Sequence, residues 1–570
     1  MAAGLRYFLL NIFFALILIA FAACGSGQQD TNDTAGGDPA DDSVVPDTPS
    51  DSDVPADTEV EFEPPCESRP DADGDTIADM YEGASDPDAD TIPNDHDDDS
   101  DNDTISDYDE AGNHDTCTAA VDTDGDTTPD FLDPDSDDDG VSDRDEVING
   151  TDRLDEDSDD DGVTDLVEDV YGSDPMDPGD SPRTHGDFVF IVDYMEEPDP
   201  AQDTLVFGTD IKMADVYFMI DTSGSMSGEV NNLTAGLKTT IVPGVAEAIP
   251  DVQMGLLRFE DCPESSCPNN ITNLQSITDD VDAVEAALET ITYESLCGGD
   301  EPYGISLWIT ATGDGPAYGL PARSCPDDTT IGYPCFRPTA IPIIVQMGDE
   351  PFEWRFMGGM CRNEKSKDEI IATLRTIHAK YIGIDSCEDP IGPTCPQQDM
   401  EDVAFWTGSM DAAGTLLVYK ISDTGEGLSD QVVNAIAHLA NQVPIDVSAA
   451  AQDRIDSPED TVDAARFVDR IEPNTVGGIE DPEISGRICV GGLVVGDSDY
   501  DTVPDYFDDV LPGTIVCFDI YAKMNDFVPR TNEPQLYTAD IHVFGDWITL
   551  LDSRIVYFLI PPEVSIEGPI

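Results

Sequence analysis

Val216-Tyr-Phe-Met-Ile220 runs directly into Asp221-Thr-Ser223-Gly-Ser225-Met226. Five consecutive apolar residues read as a strand buried on both faces, the pattern of a central parallel strand. The Asp-x-Ser-x-Ser that follows sets one carboxylate and two hydroxyls on a single loop. That loop leaves the carboxyl end of the strand, where open α/β sheets bind ligands. A helix cap through Ser223 or Ser225 would use the same residue types for a purely structural purpose.

Outward from this stretch, residues 213–445 alternate apolar strands with amphipathic helices. Strands are expected at Val216–Ile220, Val252–Phe259, Ile341–Val345, Tyr381–Ile384 and Leu416–Tyr419. Helices are expected at Val281–Ile291, Lys365–His378 and Leu428–Asn441. This alternation predicts an α/β doubly wound, mostly parallel sheet with helices on both faces. Two further strands precede it, around Phe188–Tyr194 and Thr204–Phe207. From Arg487 the chain is again strand-rich (Ile488–Val495, Thr514–Ala522, Ile541–Phe544, Ile555–Ile560) with no helical period. Two strands cannot build a core alone, so the early pair is expected to join the late ones in an all-β sandwich into which the α/β domain is inserted.

Charge divides the chain differently. The net charge is −99, and residues 71–180 hold 43 Asp/Glu against two bases, Arg144 and Arg153. Such a tract repels itself and folds only around counter-charge. Nucleic acid is excluded as a partner. The acids follow a twelve-residue frame beginning at Asp71, Asp86, Asp99, Asp122, Asp135 and Asp157, at intervals of 15, 13, 23, 13 and 22 residues.

Acids recur at positions 1, 3 and 5, with Asp or Asn at 9 and an acid at 12. The frames supply Asp71, Asp73, Asp75, Asp79 and Glu82; Asp86, Asp88, Asp90, Asn94 and Asp97; Asp99, Asp101, Asp103, Asp107 and Glu110. They continue with Asp122, Asp124, Asp126, Asp130 and Asp133; Asp135, Asp137, Asp139, Asp143 and Glu146; Asp157, Asp159, Asp161, Asp165 and Glu168. Position 6 is always Thr or Gly and position 7 always Ile, Thr or Val, which a solvated spacer would not require. Ca²⁺ takes six to eight oxygens, and closely spaced carboxylates deliver them. A seventh frame stands apart, with Asp497, Asp499, Asp501, Asp505 and Asp508.

These frames resemble thrombospondin type 3 repeats, in which successive loops wrap calcium with little apolar core. Thr in place of Gly at position 6 in four loops is a departure that should weaken those sites. The Asp221-x-Ser223-x-Ser225 stretch in turn resembles the metal-ion-dependent adhesion site of von Willebrand A domains. That resemblance implies a further ligand from Gly298-Gly299-Asp300-Glu301-Pro302, either Asp300 or Glu301, and a last one from Asp349, at the end of the stretch that opens with the strand Ile341–Val345. It also implies bound Mg²⁺ or Mn²⁺ that takes an exposed Asp or Glu of a protein partner. The form of the second loop is closest to integrin β chains, but Tyr303 stands where that variant carries Glu, so the site should hold metal less tightly. Glu229 falls near the position of an adjacent calcium in those chains.

At the N-terminus, Arg6 and the apolar run Tyr7–Ala23 end in Phe21-Ala22-Ala23-Cys24, which resembles a bacterial lipoprotein cleavage box with Cys24 as the lipid attachment site. The expected location is the outer membrane or cell surface, reached by export; simple secretion is the alternative. Membrane contact would be through the Cys24 lipid alone. Removing Cys24 leaves twelve cysteines, an even number suited to disulfides in an oxidising compartment. Cys262–Cys267, Cys325–Cys335, Cys387–Cys395 and Cys489–Cys517 are the expected pairs.

The multidomain expectation is therefore a signal peptide (1–24), an acidic tether (25–65), calcium repeats forming a stalk (66–182), leading sandwich strands (186–209), the von Willebrand A-like domain (210–447) and the sandwich with its inserted calcium loop (473–570). The chain contains no His-Glu-x-x-His, Gly-x-Ser-x-Gly or phosphate loop. A binding module is favoured over an enzyme, with a calcium-binding envelope spacer as the alternative and a metal-dependent hydrolase behind it.

Overall fold

The computed structural model describes residues 69–260, 271–291, 301–326, 328–355, 365–387, 395–454 and 461–564. Cys24, Asp300 and the Cys262–Cys267 pair lie outside the described residues. No described helix is long and apolar enough to cross a membrane.

The six acidic loops share one backbone. Position 6 has a left-handed φ in every loop: 84° at Thr76, 86° at Thr91, 87° at Thr104, 95° at Thr127, 96° at Gly140 and 90° at Gly162. A β-branched residue there is strained, so four threonines hold a conformation they do not prefer. The position-5 carboxylate accepts a hydrogen bond from the position-7 amide throughout, as at Ile77 to Asp75 (2.8 Å) and Val163 to Asp161 (3.0 Å). Each loop ends in a short helical turn, from Asp79–Glu82 to Asp165–Tyr171. Apolar packing is sparse: Ile77, Ala111 and Phe131 form one cluster, and Leu166 and Val167 pack with Leu559 of the last strand.

The chain then forms β1 (Phe188–Ile191) and β2 (Gln202–Gly208) and enters the α/β layer. There β3 (Met213–Asp221), β4 (Asp251–Phe259), β5 (Ile271–Thr278), β6 (Ile341–Gly348), β7 (Lys380–Asp385) and β8 (Val418–Lys420) align in the order β5-β4-β3-β6-β7-β8. All neighbours are parallel except the edge strand β5. Period-two alternation along β3 feeds two cores. Val216, Phe218 and Ile220 pack with α1 (Ser227–Gly236), α2 (Val242–Ala248), α3 (Val281–Glu289) and α7 (Leu428–Gln442). Tyr217 and Met219 pack with α4 (Tyr303–Thr312), α5 (Lys367–Thr376) and α6 (Gln397–Trp406) on the other face. The sheet is doubly wound.

The rest of the chain adds β9 (Ile445–Asp453), β10 (Val468–Pro473), β11 (Val495–Gly496), β12 (Tyr506–Val510), β13 (Ile515–Ala522), β14 (Gln535–Gly545) and β15 (Thr549–Ile560). One sheet runs β1-β15-β14-β9-β12-β11, the other β10-β13-β2. Phe190 of β1 lies opposite Phe558 of β15, their ring centroids 5.7 Å apart. Val206 of β2 lies opposite Cys517 of β13. Phe507 and Phe518, one from each sheet, meet at 5.2 Å in the apolar core that extends to one face of the α/β sheet.

Two expectations need correction. The boundary at residue 447 falls inside β9, which sits centrally between β14 and β12. Ala449-Ala450-Ala451 carries little β-propensity, so burial between neighbours rather than local preference makes this strand. The strand expected over Ile488–Val495 does not form: Ile488 makes one isolated bridge to Glu480, and β11 begins only at Val495. Gly491 lies so close to Val476 that a Cβ would meet its carbonyl oxygen at 2.1 Å, and Gly492 has φ 76°. That glycine pair serves a tight crossing beside the Cys489–Cys517 disulfide rather than a strand. The bridges Cys325–Cys335 and Cys387–Cys395 are also formed.

Candidate functional site

Strand β3 delivers Asp221 to the carboxyl edge of the sheet, where a 3₁₀ turn (Gly224–Met226) leads into α1. The Asp221 side chain is fully buried. Its Oδ1 accepts the Ser223 amide at 2.8 Å, which curls the loop back over the strand end. The Ser223 and Ser225 hydroxyls then lie 3.0 Å apart. The next strand, β6, ends at Gly348, and Asp349 follows it onto the same edge. Ser225 hydrogen-bonds to Asp349, while the buried Asp349 Oδ1 has no hydrogen-bond partner. Asp221, Ser223, Ser225 and Asp349 are thus brought together.

Burial pushes the Asp221 carboxyl up to about 7, and the charge of Asp349 adds to the rise. Asp349 is raised by burial as well, with the Ser225 bond opposing. A buried carboxyl beside a half-buried one favours a shared proton or a cation between them. With two hydroxyls beside them, the donors are all oxygen, the set that suits a hard divalent ion.

Tyr303 carries no metal-ligand signal in the sequence, yet it completes this cluster. Its hydroxyl donates to Asp221 Oδ2 at 2.7 Å and accepts the Glu350 amide at 3.4 Å. The ring stacks on Phe352 at 4.8 Å and meets the edge of Phe259 at 4.8 Å. Gly348 makes room for it, since a Cβ there would lie 1.8 Å from the tyrosine oxygen. Tyr303 therefore holds one Asp221 oxygen and leaves the loop side of the carboxylate to face Ser223 and Ser225. Glu301 is buried two residues before it; burial raises the Tyr303 hydroxyl most, and the charges of Asp221, Asp349 and then Glu301 add to the rise. Glu229, on the first turn of α1, is also buried, and its Oε2 lacks a hydrogen-bond partner.

The acidic loops bring carboxylates together both within and between frames. Within single loops, one oxygen from each of Asp71, Asp73 and Asp75, of Asp86, Asp88 and Asp90, and of Asp99, Asp101 and Asp103 falls within 4.8 Å of the others. Across loops, Asp107 joins Asp75 and Glu82, and Asp143 joins Asp103 and Glu110. Position 9 therefore does more than serve its own frame. Where position 2 is Ser or Thr, that residue clips the position-9 carboxylate with its amide and hydroxyl, as Ser100 does to Asp107 (2.8 and 2.7 Å) and Ser136 to Asp143 (both 2.7 Å). Thr123 and Ser158 clip Asp130 and Asp165 in the same way.

The position-12 glutamates are fully or nearly buried, and one or both oxygens of Glu82, Glu110, Glu146 and Glu168 have no hydrogen-bond partner. Burial first, then the neighbouring acids, pushes Glu82 and Glu146 up to about 9 and Glu110 to about 10. Arg153 reaches into this array, 3.3 Å from Glu110 and 3.0 Å from Asp143. At position 12 of the second and fourth loops, Asp97 and Asp133 instead accept the amides of Asp99 and Asp135, which open the next loops two residues later (both 3.2 Å).

The seventh loop links β11 to β12 with the same backbone. Thr502 has φ 84°, Val503 donates to Asp501 at 2.7 Å, and Ser498 clips Asp505. Its Asp499 and Asp501 are exposed, as Asp122, Asp124 and Asp126 are in the fourth loop.

No family model matches the chain, and no curated protein matches it. Among solved structures it is similar to a von Willebrand factor type A protein from Catenulispora acidiphila, with 10% identity and a TM-score of 0.29 over 65% of this chain and 71% of that one. It is also similar to proximal thread matrix protein 1 of the mussel byssus, with 14% identity and a TM-score of 0.26 over 41% of this chain and 49% of that one.

Proposed function

We propose that this protein is an exported, surface-anchored adhesion module that captures an acidic side chain of a protein partner through a divalent ion at the top of a von Willebrand A-like sheet. The observation that carries this reading is the meeting of Asp221, Ser223, Ser225 and Asp349 at the ends of two adjacent parallel strands, with Asp221 fully buried and the half-buried Asp349 repelling it. Asp221 and Asp349 would supply the charge that holds Mg²⁺ or Mn²⁺, and Ser223 and Ser225 neutral oxygens. Few direct carboxylates leave such an ion under-neutralised, so it retains affinity for one more anionic oxygen. Tyr303 orients Asp221, and its neutral hydroxyl in place of a carboxylate should lower metal affinity. Asp300 or Glu301 is the expected further ligand.

In this reading the acidic loops are calcium repeats that set the sheet away from the envelope, to which Cys24 would carry the lipid. A calcium-binding spacer alone would leave the sheet-top cluster without a purpose. A hydrolase would need a placed base, for which no motif is present.

The test is a pull-down from envelope extracts in Mg²⁺ and in chelator, using wild type and Asp221→Ala. Capture that needs both Mg²⁺ and Asp221 supports adhesion; equal capture in chelator refutes it.

A further inference from the structure

A second concave region lies away from the sheet-top cluster, where the chain passes from the α/β layer into the β-sheets. It is a cleft of about 990 Å³, at the upper end of the range for small-ligand sites. One wall is the end of α6, where Phe405 and Trp406 are 49% and 53% exposed and pack perpendicular to each other at 5.2 Å. The other wall carries Trp547, 40% exposed and set against Tyr506 at 5.2 Å. Single exposed apolar residues are ordinary. Three large rings opening into one cleft are not, because each forgoes burial that the adjoining cores could have provided.

The backbone makes the same point. Trp547 sits in the β14–β15 hairpin, in a turn closed by the Ile548 amide on the Gly545 carbonyl at 3.2 Å. Asp546 and Trp547, its central residues, have φ 48° and 70°. Turns with two positive φ values favour Asn-Gly, and a bulky aromatic there is a genuine outlier. Asp509 (φ 54°) and His378 (φ 49°) line the same cleft. Asp and His adopt this conformation more readily than most residues, so the strain falls on Trp547, and strain used to hold an indole outward marks a functional surface.

The polar lining narrows the ligand class. Asp411, Asp446, Asp509 and Asp546 outnumber Arg375 and Lys380, and the whole chain carries −99, so anionic ligands are repelled. Three of these acids are already engaged: Asp546 pairs with Lys380 at 2.8 Å, Asp411 with His438 at 3.3 Å, and Asp446 accepts the Asp509 backbone amide at 3.3 Å. What remains is flat aromatic surface alternating with fixed hydrogen-bonding groups. That matches the apolar ring face and equatorial hydroxyls of a sugar. We infer that this cleft binds a neutral oligosaccharide, stacked between Trp406 and Trp547. The inference is independent of the metal-dependent site.

Two of the four tryptophans line the cleft, so intrinsic fluorescence reports on it directly. The full chain, in Ca²⁺ and Mg²⁺, is titrated with malto-, cello-, xylo- and chito-hexaose, with oligolysine as a cationic comparison. At least one hexaose should shift the emission. Trp406→Ala and Trp547→Gly should each weaken that binding about tenfold, the effect of one lost stacking contact, and Asp221→Ala should leave it unchanged. Trp547→Gly should keep or raise the Tm, because glycine relieves the turn; unaltered stability with lost binding separates a ligand platform from a structural aromatic. The inference is overturned if no hexaose binds at about 10 mM, well above the Kd of even weak complexes. It is equally overturned if oligolysine alone binds, if both variants bind as wild type, or if wild type self-associates through the cleft and the variants do not.

Discussion

In the acidic loops, carboxylates face one another on a backbone with almost no apolar support; at the sheet top, Asp221 and Asp349 stand on two cores packed with Val, Ile, Leu and Phe. Both arrangements bury negative charge beyond what hydrogen bonds satisfy. Removing counter-charge should therefore have different consequences. Where charge is the organising element the chain expands, and where a core organises the chain only the site is lost. On the proposed reading, a cation would be a folding partner in the first region and a functional one in the second.

The largest expected effect follows directly. Chelation should extend residues 71–180, measured by small-angle scattering with and without Ca²⁺; unchanged dimensions with fewer than about four bound ions would contradict the calcium reading. The pH dependence in chelator should be inverted from the usual carboxylate case. Glu82, Glu110 and Glu146 are raised in the folded chain from 4.5 to about 9, 10 and 9. The folded state then keeps protons that the unfolded state releases above about pH 4.5, so stability is present at low pH and lost as pH rises toward 9. Saturating Ca²⁺ should abolish that loss.

Next comes Asp221→Asn, which keeps an oxygen for the Ser223 amide and can turn its NH2 to the Tyr303 oxygen, but removes charge. It should eliminate Mg²⁺ binding by calorimetry, while the Tm at pH 8 in chelator stays equal or rises, because Asp221 is raised to about 7 by burial and would be ionised there. A fall in Tm of several degrees would mean that the carboxylate is structural. Tyr303→Phe should act more mildly. Losing the hydroxyl that orients Asp221 should lower metal affinity by about tenfold or more, the usual size for a residue behind a ligand, at about 1 kcal/mol of stability. Unchanged affinity would remove Tyr303 from the site.

The smallest effect tests strain. Thr104→Gly relieves a β-branched residue at φ 87° and should stabilise the third loop by about 1 kcal/mol, with tighter Ca²⁺ binding by titration calorimetry. A weaker site would show that the threonine side chain contributes more than its backbone costs.

The sequence made some of this legible and not the rest, for physical reasons. Val216–Ile220 declared itself because a strand buried on both faces must be apolar throughout. The loops were legible because position 6 and position 7 recur where charge alone would not require them. Tyr303 was legible only as the residue standing in place of a Glu; its bond to Asp221 was not, because that depends on the ring passing over Gly348 to a residue 82 positions earlier. The Asp107 and Asp143 sharing between frames was equally hidden, since spacing along one loop says nothing about which loop packs beside it. β9 was missed because its alanines acquire strand geometry only from β12 and β14.

Hydrogen exchange of the full chain in Ca²⁺ plus Mg²⁺ and in chelator tests the contrast between the two regions most directly. Amides of residues 71–180 should lose protection in chelator, while β3, β6 and the helices around them keep theirs and only the loops at Asp221–Met226 and Asp349 exchange faster. Retained protection in the acidic loops, or loss of protection through β3 and β6, would contradict the account.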